Sequence, residues 1–133
     1  MTGQISAGAV HHVALTVTNV ERSRAFYTDI MGLQVVATVE PKVFLSNGTM
    51  ILALGPAPEK PLSGDKFNEN RVGLDHISFG VGSRVDLERA ASFLTEQGVS
   101  HGEIKDLPGF QIYVLAFRDP DNIQVELTAP YKK

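Results

Sequence analysis

Two histidines open two similar six-residue segments. His12-Val13-Ala14-Leu15-Thr16-Val17 and His76-Ile77-Ser78-Phe79-Gly80-Val81 each set an imidazole at the start of a short strand-forming run. Paired copies of a repeated motif bring equivalent positions to one axis, and a metal ion is the common reason to hold two imidazoles there. Glu126 is the third candidate ligand, in Ile123-Gln124-Val125-Glu126-Leu127-Thr128. Strand alternation sends Val125 and Leu127 into a core and Gln124, Glu126 and Thr128 to the opposite face. Taken singly, each of the three has an ordinary reading: a hydrogen-bonded histidine at a strand start, or a solvated glutamate. Together, two imidazoles and one carboxylate make a facial ligand set with open positions for water or substrate.

The repeat also predicts a vacancy. Aligning Leu54 with Leu127 sets Ala53 opposite Glu126, and alanine cannot ligate. Beside the metal residues, Phe110, Ile112, Val114 and Ala116 share one parity. With Ala53 and Gln124 they line a fairly apolar substrate pocket, unless a bulge shifts the register and turns them into core residues. His101 and Tyr113 are further polar candidates, each with the alternative of being a surface or core residue.

The elements that must position these groups read as βαβββ, twice. The first helix spans about 20–31, with Phe26, Ile30 and Leu33 on one apolar face, Asn19 as N-cap and Gly32 as stop. The second spans about 85–97, with Leu87, Ala90, Ala91 and Leu94 inward, Ser83 with Asp86 as a capping box, and Gly98 as stop. Strands follow over 35–40, 43–46 and 50–54 in the first half, with an Asn47-Gly48 turn, and over 100–105, 110–117 and 123–128 in the second, with an Asp119-Pro120-Asp121-Asn122 turn. The expectation is a single domain over 1–133 of α+β class. Module one covers about 10–55, a proline-bearing linker about 56–72, and module two about 73–130, with the linker folding over the site as a lid. The modules would form a cupped, mostly antiparallel sheet with a metal-binding cleft.

The chain has 133 residues, no cysteine and a net charge of −3. Without thiolates, any metal is held by nitrogen and oxygen. No basic stripe supports nucleic-acid binding, no apolar run is long enough for a bilayer, and no export signal is visible, so a cytoplasmic protein is expected.

These residues resemble the vicinal oxygen chelate superfamily, the glyoxalase/bleomycin-resistance/dioxygenase family. The carriers are His12-Val13-Ala14-Leu15-Thr16-Val17, Ser23-Arg24-Ala25-Phe26-Tyr27, Gly32-Leu33, Asp75-His76-Ile77-Ser78-Phe79, and the run from Phe117 to Leu127. The resemblance implies paired βαβββ modules, a homodimer, a small-molecule substrate, and one divalent metal (iron(II), manganese(II), zinc or nickel) on His12, His76 and Glu126. Departures narrow it. Glyoxalase I and methylmalonyl-CoA epimerase need a carboxylate or amide where Ala53 stands. Extradiol dioxygenases carry tyrosine at the place of Ala116. Fosfomycin-modifying transferases carry threonine at the place of Ala14 and a longer C-terminal tail. Two functions compete: a metal-dependent enzyme of lyase or dioxygenase type on a small, oxygen-bearing, fairly apolar molecule, and a non-catalytic protein that sequesters an antibiotic or other aromatic ligand. A remnant domain that only dimerises explains none of the three ligand-type residues.

Overall fold

The computed structural model describes residues 3–131. The chain divides into two compact units, Met1–Pro61 and Leu62–Lys133, with the boundary inside the linker. Each unit is βαβββ and carries its own four-stranded sheet.

In the first unit the strands are β1 (His12–Thr16), β2 (Gln34–Val39), β3 (Lys42–Ser46) and β4 (Ile51–Gly55), in spatial order β1-β4-β3-β2. In the second they are β5 (Ile77–Gly80), β6 (Lys105–Leu107), β7 (Ile112–Arg118) and β8 (Gln124–Pro130), in order β5-β8-β7-β6. The two orders are the same. In each sheet the first strand pairs parallel with the last, and the other pairs are antiparallel. That parallel pair requires a crossover, which the helix supplies.

The helix of the first unit begins as α1 (Val20–Ala25) and widens into a π-helical turn over Phe26–Ile30. The Asn19 side chain accepts from the Arg22 N–H at 3.0 Å, as an N-cap should. The widening shows in the Met31 N–H, which donates to the Phe26 carbonyl five residues back. Gly32, at φ +78°, then turns the chain so that the Leu33 N–H reaches the Tyr27 carbonyl. In the second unit α2 (Arg84–Glu96) starts at Ser83, whose hydroxyl accepts from the Asp86 N–H. It ends in a Schellman motif: the Val99 N–H bonds the Leu94 carbonyl, the Gly98 N–H bonds that of Thr95, and Gly98 takes φ +75°. Both expected stops are therefore positions where the backbone must be left-handed.

Alternation decides what each sheet face does. Along β8, Val125, Leu127 and Ala129 are buried while Gln124, Glu126 and Thr128 are partly exposed. The buried set lies with Leu115 and Phe117 of β7 under α2, whose Leu87 and Leu94 point inward. In the first unit Val43, Leu45, Leu52 and Leu54 form the matching core with Leu15, Phe26 and Tyr27.

Two sequence expectations change, and the linker acquires defined contacts. The strand expected over 100–105 is the short β6 at Lys105–Leu107, preceded by one isolated bridge between His101 and Phe117. The Lys105–Val114 pair and the His101–Phe117 bridge differ by one residue in register, so the ladder is broken between them. Phe110 is not on β7. It sits in the Pro108–Gln111 turn, where Gln111 takes φ +56°, and is 78% exposed. Pro108-Gly109 starts this turn before the strand period can begin. The linker, finally, is tied down in its second half. The Phe67 N–H donates to the Asp121 carbonyl and the Asn122 amide to that of Phe67. Arg118 grips Glu69 with two hydrogen bonds, 2.9 and 2.8 Å.

That bidentate pair holds the Glu69 carboxyl down at about 2, its hydrogen bonds from Arg118 being the main cause. In the unfolded chain the group titrates near 4.5. The folded form therefore binds fewer protons between these values, and the contribution is full above the unfolded pKa and lost as pH falls towards 2. Glu69→Gln should flatten this part of the acid limb of a stability–pH curve measured by urea denaturation. An unchanged acid limb would show that solvent screening cancels the pair. In the core, Leu115 is fully buried. Leu115→Ala should cost about 2–5 kcal/mol by the same measurement, the range for emptying a packed leucine site.

Candidate functional site

The residues with ligand chemistry in the second unit share one sheet face. Ser78 pairs with Glu126 across the β5–β8 boundary, and Ala116 pairs with Glu126 across β7–β8. Partners in register stand on the same side of a sheet. Ser78, Glu126 and Ala116 therefore form one row, with Gly80, Thr128 and Val114 in the next. The Ser78 and Thr128 hydroxyls are hydrogen-bonded, which fixes the facing of both strands. The β7–β8 register is continuous from Ile112 to Arg118. No bulge intervenes, so Ile112, Val114 and Ala116 share the face of Glu126, as do Gln124 and Arg118.

His76 stands just before β5, on the parity of Ser78. Its Nε2 lies 3.5 Å from Glu126 Oε1. The His76 side chain is 36% exposed and that of Glu126 17%, so the pair is open to solvent yet not loose. Two donors bound to one ion at about 2.1 Å each stand roughly 3–3.5 Å apart. The nitrogen–oxygen pair thus has the spacing and chemistry to take two adjacent positions on a divalent ion. The other imidazole nitrogen, Nδ1, is 2.7 Å from Asp75 Oδ1. The Gln124 amide donates to that same oxygen at 3.2 Å. Among the described residues no group of three or more His, Asp or Glu side chains forms a ready-made ligand cluster.

The first unit repeats the register without the carboxylate. Ala14 pairs with Ala53, as Ser78 does with Glu126, and Phe44 pairs with Ala53, as Ala116 does with Glu126. His12 precedes Ala14 by two residues, as His76 precedes Ser78. Ala53 is therefore the positional counterpart of Glu126, and at 5% exposure it is nearly closed off. At the next counterpart, Gly55 for Thr128, the Lys42 side chain lies 3.0 Å from where a Cβ would stand. The histidine-bearing face of this unit thus carries Ala14, Ala53, Gly55, the larger apolar Ile51 and Phe44, and one lysine stem, with no acid at the position of Glu126. The His12 Nδ1 lies 2.9 Å from the Nδ1 of His11.

The remaining sequence candidates lie elsewhere. His101 hydrogen-bonds Thr95 Oγ1 at 2.8 Å and the Gly102 carbonyl at 2.7 Å, fastening the end of α2 to the segment after it. Tyr113 has the opposite parity from Glu126. It packs against Tyr131, ring centres 5.0 Å apart, with the Arg84 guanidinium 5.0 Å above it. Tyr131 donates to Asp106, which pushes its hydroxyl up to about 12. These are structural contacts on the helix side. Asp75 has a place in a sequence motif but no role in the site from it, and the Glu69–Arg118 pair does not show in the sequence. An acid directly before a candidate ligand histidine could have pointed to Asp75. Nothing in local periodicity links Glu69 to Arg118.

A family model described as the glyoxalase/bleomycin resistance protein/dioxygenase superfamily matches residues 9–127. The uncharacterized protein YwkD of Bacillus subtilis is 31% identical over 126 residues, covering 90% of this chain and 94% of its own. The metallothiol transferase FosB of Staphylococcus haemolyticus is 27% identical over 118 residues, covering 89% of this chain and 81% of its own. The crystal structure of a glyoxylase/bleomycin resistance protein/dioxygenase domain from Frankia is 30% identical, with a TM-score of 0.76 over 95% of this chain and 93% of that one. The match runs through both histidine segments and ends just past Glu126, and the same doubled βαβββ arrangement underlies it; the chain belongs to the glyoxalase/bleomycin resistance protein/dioxygenase superfamily.

Proposed function

We propose that this protein is a divalent-metal-dependent enzyme that acts on a small, oxygen-bearing and fairly apolar organic molecule, with His12, His76 and Glu126 as the metal ligands. The observation that carries the reading is the His76 Nε2–Glu126 Oε1 pair, 3.5 Å apart on one sheet face. The register equivalence of His12 to His76 supports the third ligand, because paired modules bring equivalent residues together. The single domain over 1–133 is then two modules completed by pairing, either in one chain or between two chains of a homodimer, in the cytoplasm.

Bound there, the metal supplies Lewis-acid polarisation of substrate oxygens, or an oxygen-binding centre if it is iron(II). The protein's own part is to leave positions open and to shape what reaches them. Ala53 adds no fourth ligand. Ile112, Val114 and Ala116, in register with the β8 face that carries Glu126, favour an apolar body on the substrate. The likeness to a metallothiol transferase agrees with a metal-dependent reaction. The residues at 14 and 53 argue against a fosfomycin transferase and a glyoxalase I in particular.

Protein purified without chelator should carry a divalent ion by elemental analysis. Stripped protein should gain melting temperature with at least one of iron(II), manganese(II), zinc or nickel. A ligand at a hundred times its Kd adds about 2.7 kcal/mol. His12→Ala, His76→Ala and Glu126→Ala should each abolish that gain. No bound metal and no thermal gain with any of the four would defeat the reading. If Glu126→Ala also kept full affinity for an aromatic ligand, the sequestering alternative would stand in its place.

A further inference from the structure

The strongest feature outside the ligand triad is the hydrogen-bonded chain Gln124–Asp75–His76. We propose that Asp75 is a positioning residue that fixes the His76 imidazole with its proton on Nδ1, leaving the Nε2 lone pair aimed at the space beside Glu126. The inference rests on the reading of His76 as a metal ligand and deepens it, by naming the groups that set the ligand's tautomer and orientation.

A neutral imidazole has one N–H and one lone pair, and the partner of one nitrogen decides the role of the other. Asp75 Oδ1 is 2.7 Å from Nδ1, the distance of a charge-assisted hydrogen bond. Glu126 Oε1 is 3.5 Å from Nε2, at the outer limit of any hydrogen bond. An ionised carboxylate only accepts, so the shorter contact claims the proton for Nδ1. The opposite tautomer would set a bare lone pair against Asp75 at 2.7 Å in exchange for a weak contact with Glu126.

Asp75 is itself held. The Gln124 amide donates to the same Oδ1 at 3.2 Å. Gln124 lies two residues before Glu126 on β8 and so on the same face. One strand therefore carries both a candidate ligand and the clamp on the other ligand's orienting group. Gln124 thus acts through Asp75 and has less of its amide left for substrate. The first unit shows a parallel contact with a histidine in place of the aspartate. His11, directly before His12, sets its Nδ1 2.9 Å from the His12 Nδ1. In both units the preceding residue engages Nδ1 and leaves Nε2.

Outer-sphere partners of this kind are typically worth about 10–100-fold in metal affinity. The test starts with metal-free protein. Long-range proton–nitrogen-15 correlation spectra at about two pH units above the ordinary imidazole pKa should show His76 in the Nδ1–H form. Asp75→Ala should move it to the Nε2–H form with the far-ultraviolet circular dichroism unchanged. Gln124→Leu should shift the ratio the same way by less. Zinc affinity by competition with a chromophoric chelator should fall about 10–100-fold in Asp75→Ala. An Nε2–H tautomer in the wild type, or a tautomer unmoved in Asp75→Ala, overturns the proposal. The expected tautomers with no zinc binding by the wild type uphold the role of Asp75 and overturn the metal reading alone.

Discussion

The parallel pairing of the first and last strand of each unit is the constraint on which the rest depends. In the second unit it sets Ser78 opposite Glu126 and so puts His76, just outside β5, within reach of a carboxylate fifty residues later in the chain. A slip of one residue in β8 would turn Glu126 into the core under α2 and bring Val125 or Leu127 out. The burial of Val125, Leu127 and Ala129 prevents that slip. The core is thus what aims the site: the hydrophobic alternation holds the register, and the register places the ligand-type side chains.

The same constraint explains what the two units share and where they part. Their strand orders and registers coincide, so position 53 is to the first sheet what position 126 is to the second. The difference is chemical and not topological. One sheet offers a histidine with a second histidine behind it and an alanine beside it. The other offers a histidine with an aspartate behind it and a glutamate beside it. The two copies share one frame of strand order and register, and the carboxylates beside the histidines stand on the second copy.

Features governed by period and local turn chemistry were legible in the sequence. Asn19, Ser83, Gly32 and Gly98 lie where caps and left-handed residues were expected, because each acts on its own turn of backbone. The face shared by Ile112, Val114, Ala116 and Glu126 was legible too, since alternation survives wherever the register is unbroken. Phe110 was not, because Pro108-Gly109 opens a turn that a count of parity cannot see. The strand expected over 100–105 was lost to a one-residue break in register, and such a break leaves no mark on composition. The Glu69–Arg118 pair joins a linker to a strand forty-nine residues on, a contact that only the folded chain creates.

That clasp bears on the site in one further way. Arg118 shares its sheet face with Gln124, its register partner, and Gln124 holds Asp75. The hydrogen bonds to Glu69 are the main cause that raises the Arg118 pKa, and the charge of Asp75 is the smallest of the raising causes. A free guanidinium on this face would compete with His76 for the Asp75 carboxylate. Glu69 occupies Arg118 bidentately, while the Asp75 carboxylate bonds the imidazole. The linker is thus fastened through Glu69 to Arg118 on β7, and the neighbouring residue on β8, Gln124, donates to Asp75 beside His76.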